Sequence, residues 1–352
     1  MDRVRIGWSL LGALGMTGAI AQAPPKLLPV AREDAGPRAR VVIFRDAEAT
    51  EAFQPNPQRV AALVNHGLTN LTGKASVTAA WLSLVSTQDI VGLKVYCEPG
   101  AHSGTRPAVV AAVVEGLIES RVLPSRIVIW DRHRDHLRKA GFFELGARYG
   151  VNVQGCDGAG YDEKTFYLPD RRIIGQLVWG DLEFGRQGET GGLKSYVSKL
   201  VSQQLTKIIN ISPLLNHNSA GVCGNLYSLA MGSVDNTVRF ELDPARLASA
   251  VPEIYALPAV GDKVALSMVD ALVCQYQGEK EPRLHYAKAL NEIWLSRDPV
   301  ALDFLGLLEL DRQRKNAGMA TVSTNFTELY QNAALLDLGV INPNNIQVER
   351  SP

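Results

Sequence analysis

The chain has 352 residues, 46% of them hydrophobic, which is enough for one large domain or two ordinary ones. Its 36 basic residues balance 36 acidic residues, so no basic excess indicates a nucleic-acid partner. No acidic run indicates a solvated tail.

The N-terminus has the pattern of a signal peptide. Two arginines precede an apolar run from Ile6 to about Ala21, and residues 19–21 (AIA) form a small-x-small cleavage pattern. The run is short for a membrane span, which needs about 20 residues. We therefore predict a signal peptide over 1–21 and a linker over 22–38. The mature protein would be extracytoplasmic, periplasmic or secreted, with no membrane span; an uncleaved N-terminal anchor is the alternative.

The first half of the body alternates between strand and helix patterns. Predicted strands cover residues 40–44, 90–96 and 125–131, and predicted helices cover 56–73, 76–85, 107–121 and 134–143, the last closed by Gly141. This alternation is typical of parallel strands joined by right-handed crossovers.

The second half is less regular. Residues 151–172 are rich in glycine and predict a loop-rich insertion. After it come predicted strands at 173–179, 206–212, 262–272 and 291–296, and predicted helices at 220–232, 243–257 and 298–315. The chain is therefore expected to form one large α/β domain over 39–345, with a mainly parallel sheet and helices on both faces.

Polar residues crowd the connection between strand 90–96 and helix 107–121, which reads CEPGAHSGTRP. Glycines let a backbone approach a ligand closely, and the free amides of a first helical turn carry partial positive charge. Arginine adds a bidentate partner for carboxylate or phosphate. The pattern predicts a small-anion site at the carboxyl edge of the sheet, with an ordinary helix cap as the alternative. Its candidate ligand-binding residues are Glu98, Ser103, Gly104, Thr105 and Arg106.

Two further segments place polar side chains at the same predicted edge. Strand 125–131 ends at Asp131, and His133 and Arg134 follow it. Strand 206–212 leads to Asn216 and His217. An aspartate and a histidine near an arginine suit acid–base work or a divalent metal, although the metal and its ligands stay unknown. The alternative is a set of solvated loop residues.

Lys94 lies within an otherwise apolar strand, where an unpaired charge is costly. It either pairs with a carboxylate or points into the crevice. The candidate catalytic residues are Lys94, His102, Asp131 and His217, and the further candidate ligand-binding residues are His133, Arg134, Asn216 and Asn225.

The four cysteines are Cys97, Cys156, Cys223 and Cys274, far apart and without a C-x-x-C pair. This spacing argues against a zinc ribbon or an intrinsic iron–sulfur cluster. Disulfides and buried thiols both remain open.

Several segments in order resemble a known family, catalogued as domain of unknown function 362. They include STQDIVGLKVYCEPGAHSGTRPAVVAAVVEGL, IVIWDRH, KIINISPLLNHNSAGVCGNLYSLAMGSVDN, SMVDAL and WLSRDPVALDFLG, and they cover most of residues 40–310. The resemblance implies an α/β fold and, in many relatives, iron–sulfur cysteine motifs or associated redox modules. This chain departs from that pattern because its cysteines are not clustered. The residues that fall within the resembling segments include Lys94, His102, Thr105, Arg106, His217, Asn225, Gly232, Asp270, Asp298 and Asp303.

The sequence therefore predicts an exported α/β protein that binds a small anionic molecule in a crevice at the carboxyl edge of its sheet. Whether it is an enzyme stays open. The alternative is a non-catalytic binding protein or a partner of a redox protein.

Overall fold

A mixed, mainly parallel sheet forms the centre of the molecule. The computed structural model describes residues 38–169, 194–241 and 243–351. The strands are β1 Ala39–Arg45, β2 Thr50–Glu51, β3 Gln54–Pro55, β4 Val91–Val95, β5 Ile127–Asp131, β6 Asn152–Gly155, β7 Tyr161–Tyr167, β8 Ser195–Ser198, β9 Lys207–His217, β10 Gly221–Val222, β11 Val264–Gln275, β12 Ala287–Ser296 and β13 Ile346–Ser351.

Eight strands form the main path of this sheet, in the order β13-β1-β12-β11-β9-β4-β5-β6, and β10 adds to β9. The run β11-β9-β4-β5-β6 is parallel throughout, whereas β12 pairs antiparallel with both of its neighbours. The carboxyl ends of β4, β5 and β9 consequently meet at one edge, as the sequence predicts.

Helices cover both faces of the sheet. They are α1 Pro57–Thr72, α2 Val77–Leu82, α3 Pro107–Glu119, α4 Arg134–Lys139, α5 Phe142–Tyr149, α6 Cys156–Ala159, α7 Asn225–Ser233, α8 Val238–Glu241, α9 Pro244–Tyr255, α10 Pro299–Asn316 and α11 Thr327–Leu335. The predicted α/β architecture, with helices on both faces of a mainly parallel sheet, is confirmed.

Two apolar cores lie on the two faces because successive strand residues point to opposite sides. In β5, Ile127 and Ile129 join the core under α1, α2, α3 and α5. Val128 and Trp130 join the other core, under α7, α9, α10 and α11. Burial of one such aliphatic side chain stabilises the fold by about 1.5–3 kcal/mol.

The helix ends follow local sequence signals. Asn56 accepts a hydrogen bond from the Arg59 amide at the start of α1, and Gly73 ends that helix with a φ of 66°. Asp298 accepts from the Ala301 amide and starts α10, as the N-cap pattern predicts.

Gly141 ends α4 as expected, in the left-handed conformation with a φ of 84°. The two residues after it, predicted to belong to the same helix, begin α5 instead.

The middle segment is more regular than its glycines indicate. Residues 152–155 form β6 at one edge of the main sheet, and β7 pairs with β8 in a separate two-stranded sheet. The strand predicted at 173–179, the predicted signal peptide over 1–21 and nearly all of the linker over 22–38 lie outside the described residues.

The C-terminal strand was not predicted from the sequence. β13 pairs in parallel with β1, from Ala39 opposite Ile346 to Phe44 opposite Ser351, so the domain extends beyond residue 345. The described residues from 38 onward group as one compact unit. Among the described residues, every helix is too short or too polar to cross a bilayer.

Candidate functional site

A cavity of about 230 Å³ opens at the carboxyl ends of β4 and β5. We call it the carboxyl-edge cavity. It is lined by the residues that follow both strands and by residues of α4, α7, α8 and the 280 loop. Its lining residues are Tyr96, Glu98, Asp131, Arg132, His133, His136, Tyr227, Ser228, Met231, Gly232, Val238, Glu241 and Lys280.

A buried ion pair lies against the inner wall of this cavity. Lys94 Nζ is 2.9 Å from Asp131 Oδ1, and the Lys94 side chain is 0% exposed. The same ammonium donates to Val95 O at 2.6 Å and Ser228 Oγ at 3.3 Å, so all three of its protons have acceptors. Lys94 therefore takes the first of the two expected roles, pairing with a carboxylate.

The Asp131 carboxylate is also held by the backbone. The Cys97 and Arg132 amides donate to its two oxygens, each at 2.8 Å. A Cβ on Gly232 would overlap Lys94 Cε and stand 2.9 Å from Nζ, so any larger residue here would force the ammonium to shift away from its acceptors. The two backbone amides and Gly232 thus hold the ion pair in place. Of its two side chains, only that of Asp131 lines the cavity.

The mouth of the cavity carries two cations and two carboxylates. Lys280 Nζ lies 3.2 Å from Glu98 Oε1 and 3.6 Å from Glu241 Oε2, and Arg132 approaches Glu241 at 3.5 Å. Burial alone would raise the pKa of Glu241, but a hydrogen bond from Thr237 and these two cations lower it. The carboxylate of Glu241 is therefore charged at neutral pH.

One donor at this mouth has no hydrogen-bond partner among the residues that the structure describes. The Nε of Arg132 is buried and makes no hydrogen bond, while its terminal nitrogen is shared between Thr237 and Glu241. A buried guanidinium N–H left unsatisfied is costly, so an acceptor supplied by a ligand would stabilise this arrangement.

Two histidines also line the cavity. The rings of His133 and His136 are 5.1 Å apart, centroid to centroid. Burial and the neighbouring His133 lower the pKa of the half-buried His136, while Glu98 and Asp131 oppose that shift. His136 is consequently neutral near pH 7 and can accept a proton. His133 Nδ1 lies 3.7 Å from Asp157 Oδ2, and the His133 side chain is nearly half exposed.

The polar residues of the loop before α3 make their hydrogen bonds to other parts of the protein. Arg106 Nη1 lies 3.0 Å from Asp270 Oδ1, and the Arg106 amide donates to Asp270 Oδ2 at 2.9 Å. The other terminal nitrogen donates to the carbonyls of His102 and Val273. The carboxylate of Asp270 thus occupies the position in which the sequence places a ligand anion.

The remaining residues of this loop are equally engaged. Thr105 Oγ1 donates to Ile211 O and accepts from the Tyr96 amide, and Ser103 Oγ donates to Gln275 Oε1. Gly104 packs closely on the backbone of Tyr96. These buried groups hold β4, β9 and β11 together and do not line the carboxyl-edge cavity, whereas the side chain of His102 is exposed.

His217 lies behind the cavity. Its ring packs against that of Tyr227, with centroids 4.1 Å apart and an angle of 44° between the ring planes. Nδ1 accepts from the amides of Ser219 and Ala220, which places the proton on Nε2. Burial lowers the pKa of His217 to about 3, so the ring is neutral. Nε2 stands 3.3 Å from Glu279 Oε1, without the angle of a hydrogen bond.

Asn216, Asn225 and Arg134 have structural partners. Asn216 Oδ1 accepts from the Glu279 amide, and the amide groups of Asn225 donate to the buried Asp303. The guanidinium of Arg134 stacks over the ring of Phe143.

Of the thirteen candidate residues, the structure places Glu98, Asp131 and His133 in the cavity lining and Lys94 directly behind it. The lining residues that we did not single out from the sequence are Tyr96, Arg132, His136, Tyr227, Ser228, Met231, Val238, Glu241 and Lys280. Arg132 and His136 lie within the WDRHRDH segment, so the sequence analysis had already indicated that segment as part of the site. Glu241 and Lys280 come from distant loops, and no local pattern marks them.

All four cysteines are free and buried. Burial raises the pKa of Cys156 to about 12, so this thiol stays protonated. Within the described parts of the chain, no three His, Cys, Asp or Glu side chains are grouped closely enough to hold a metal ion.

Comparison with known proteins adds little. No family model matches the chain, and no curated protein matches it. A crystal structure of a Thermotoga maritima protein is similar over 81% of this chain and 60% of that one, with 13% sequence identity and a TM-score of 0.38. This chain therefore spans less than two thirds of that protein, and a likeness this weak carries no argument about function. The resemblance to the domain of unknown function 362 family stays a prediction.

Proposed function

We propose that the carboxyl-edge cavity binds a small organic anion and that His136 takes a proton from it. The observation that carries this proposal is the unpartnered, buried Nε–H of Arg132 in the cavity lining. A carboxylate or phosphate oxygen is the acceptor that a guanidinium N–H binds most strongly. This donor replaces Arg106, whose anion is Asp270.

Lys280 supplies the second cation. Its pairing with Glu98 is partly exposed, at 39% and 31% of the two side chains, and such pairs contribute only about 0–1 kcal/mol. A ligand anion can therefore displace Glu98 from Lys280 at little cost. The released Glu98 carboxylate then accepts from a donor on the ligand, which favours compounds carrying both an acid and a hydroxyl or amino group.

Proton transfer is the chemistry that the histidines support. Neutral His136 accepts a proton from the bound compound, becomes an imidazolium and later returns the proton. Glu98 and Asp131 favour that charged form, and the cations at the mouth balance the charge left on the ligand. The bond that breaks and re-forms is the ligand's bond to hydrogen, so atoms and charge are conserved without another reactant.

Binding is tested by thermal shift with glycerate, malate and inorganic phosphate. We expect at least one to raise the melting temperature. Lys280→Met should weaken that ligand about 10-fold, since loss of a charged hydrogen bond is worth about 1.5–3 kcal/mol. Lys74→Met removes the same charge from an exposed position outside the cavity and should bind as wild type. Equal affinities for all three proteins would contradict the proposal.

Catalysis is tested separately by NMR in D₂O. Wild type should exchange a carbon-bound hydrogen of a bound hydroxy acid for deuterium, and His136→Asn should bind the same acid without exchange. Binding without exchange in wild type would instead support the alternative of a non-catalytic binding protein.

Export remains part of the proposal because residues 1–21 carry the signal-peptide pattern. Expression of the full chain in a bacterial host should give an extracytoplasmic protein that begins close to residue 22. A full-length cytoplasmic product would rule this out.

A further inference from the structure

A second cavity, of about 430 Å³, lies on the far side of His217 from the carboxyl-edge cavity. We call it the Arg314 cavity. It is formed where the turn after β9 faces the end of α10 and the residues before α11. Its lining residues are His217, Asn218, Gly221, Gln277, Arg314, Met319, Ala320, Val322, Asn325 and Phe326.

Arg314 has no partner in this cavity. Its guanidinium is partly buried and makes no hydrogen bond or ion pair within the described part of the chain. Burial lowers its pKa, and the nearby Asp311 offsets this shift only in part. The carboxylate of Asp311 is occupied by the amides of Val322 and Ser323. The charge of Arg314 is therefore partly desolvated without a direct counter-ion, which is a costly state for a cation.

A second polar atom in the lining is also unsatisfied. Gln277 Oε1 is buried and accepts no hydrogen bond. His217 Nε2 carries a proton and has no well-angled acceptor, although Glu279 stands nearby. The cavity thus offers an unpaired cation, an acceptor that needs a donor, and a donor that needs an acceptor. Protein groups that lack partners in this way are satisfied by a ligand or by ordered water.

The rest of the lining is apolar. Phe326, Met319 and Val322 face the same space as Arg314. A ligand that fits these groups has an anionic end, an apolar body and a hydroxyl group, because a hydroxyl is both a donor, as Gln277 Oε1 requires, and an acceptor, as His217 Nε2 requires.

We infer that the Arg314 cavity is a binding site for an amphipathic organic acid that carries a hydroxyl group. This cavity and the carboxyl-edge cavity share no lining residue. They also differ in their cations. Arg132 and Lys280 contact carboxylates of the protein, whereas Arg314 does not. The rings of His217 and Tyr227, which pack against each other, lie between the two cavities.

The test uses isothermal titration calorimetry of the full chain with three matched probes. 4-Hydroxybenzoate has the acid, the ring and the hydroxyl; benzoate lacks the hydroxyl; and 4-hydroxybenzamide lacks the charge. We expect 4-hydroxybenzoate to bind, benzoate to bind about 10-fold more weakly, and the amide more weakly still. Failure of 4-hydroxybenzoate to bind wild type at millimolar concentration would overturn the inference.

Variants assign the site. Arg314→Met should reduce 4-hydroxybenzoate affinity at least 10-fold, and Arg314→Lys should keep part of it. Lys315→Met removes an equal charge from the next, exposed residue of α10 and should change affinity less than twofold. Lys280→Met should likewise leave this binding unchanged, which separates the result from the carboxyl-edge cavity. Equal effects of Arg314→Met and Lys315→Met, or a loss with Lys280→Met alone, would refute the assignment.

Discussion

The ion pair between Lys94 and Asp131 gives the sharpest test of the structure. Lys94→Met keeps most of the apolar volume of the side chain but leaves the Asp131 carboxylate without its cation. Removal of one partner from a buried pair costs about 3–5 kcal/mol. Asp131 retains two backbone donors, at 2.8 Å each, so we expect a loss near the lower limit, about 3 kcal/mol.

The loss is measured by urea unfolding, followed by tryptophan fluorescence, since Trp130 lies beside the pair. The matched control is Arg59→Met, which breaks an exposed pair with Glu48 and should cost less than about 1 kcal/mol.

A double variant, Lys94→Met with Asp131→Asn, removes both charges while the new amide oxygen can still accept from a backbone donor. It should be more stable than Lys94→Met alone, with a coupling energy of about 1–3 kcal/mol. A loss below about 1 kcal/mol for Lys94→Met, or strictly additive effects in the double variant, would refute the assignment of a buried, paired lysine.

Four further predictions follow from other contacts. Gly232→Ala should destabilise the protein by about 1–3 kcal/mol in urea, because the new methyl group overlaps Lys94; an unchanged midpoint would contradict this packing. Asp270→Asn should cost about 3 kcal/mol by leaving Arg106 buried and unpaired, whereas a stable variant with stronger anion binding would restore Arg106 as a ligand clamp.

The third prediction concerns pH. Since the folded pKa of His217, about 3, lies below its usual 6.5, stability is lost as pH falls from 6.5 toward 3, and His217→Gln should flatten that slope. Identical slopes for the variant and wild type would count against it.

Asp303 should act in the opposite sense. Burial raises its pKa from 3.8 to about 7, so its contribution weakens the fold as pH rises from 3.8 through 7. Asp303→Asn should therefore gain stability relative to wild type as pH rises through that window. Urea unfolding at several pH values measures both slopes.

Much of the fold could be predicted because its elements have local signals. Strand β5 is a continuous apolar run, and the starts of α1 and α10 carry Asn56 and Asp298 as caps. The strand β13 has no such signal: half of its side chains face solvent, and it forms only because β1 supplies a partner. The strands within residues 152–167 could not be predicted for a related reason. The glycines of this segment indicate a loop, and the strands form because tertiary pairing stabilises them.

The candidate site was predicted less completely. The sequence correctly indicates which strand ends meet, and it brings Glu98, Asp131 and His133 to one cavity. It does not reveal that Asp270, far along the chain, fills the anion position beside Arg106, because that pairing depends on how β11 lies against β9. Long-range partners of charged residues are what a single sequence leaves unspecified.

The central claim is that a small organic anion binds between Arg132, Lys280 and His136. Crystals soaked with the acid that gives the largest thermal shift would test it most directly. We predict electron density for that acid in the carboxyl-edge cavity, with an acidic oxygen within hydrogen-bond distance of Arg132 Nε. An empty cavity, or density beside Arg106 with Asp270 displaced, would contradict the claim.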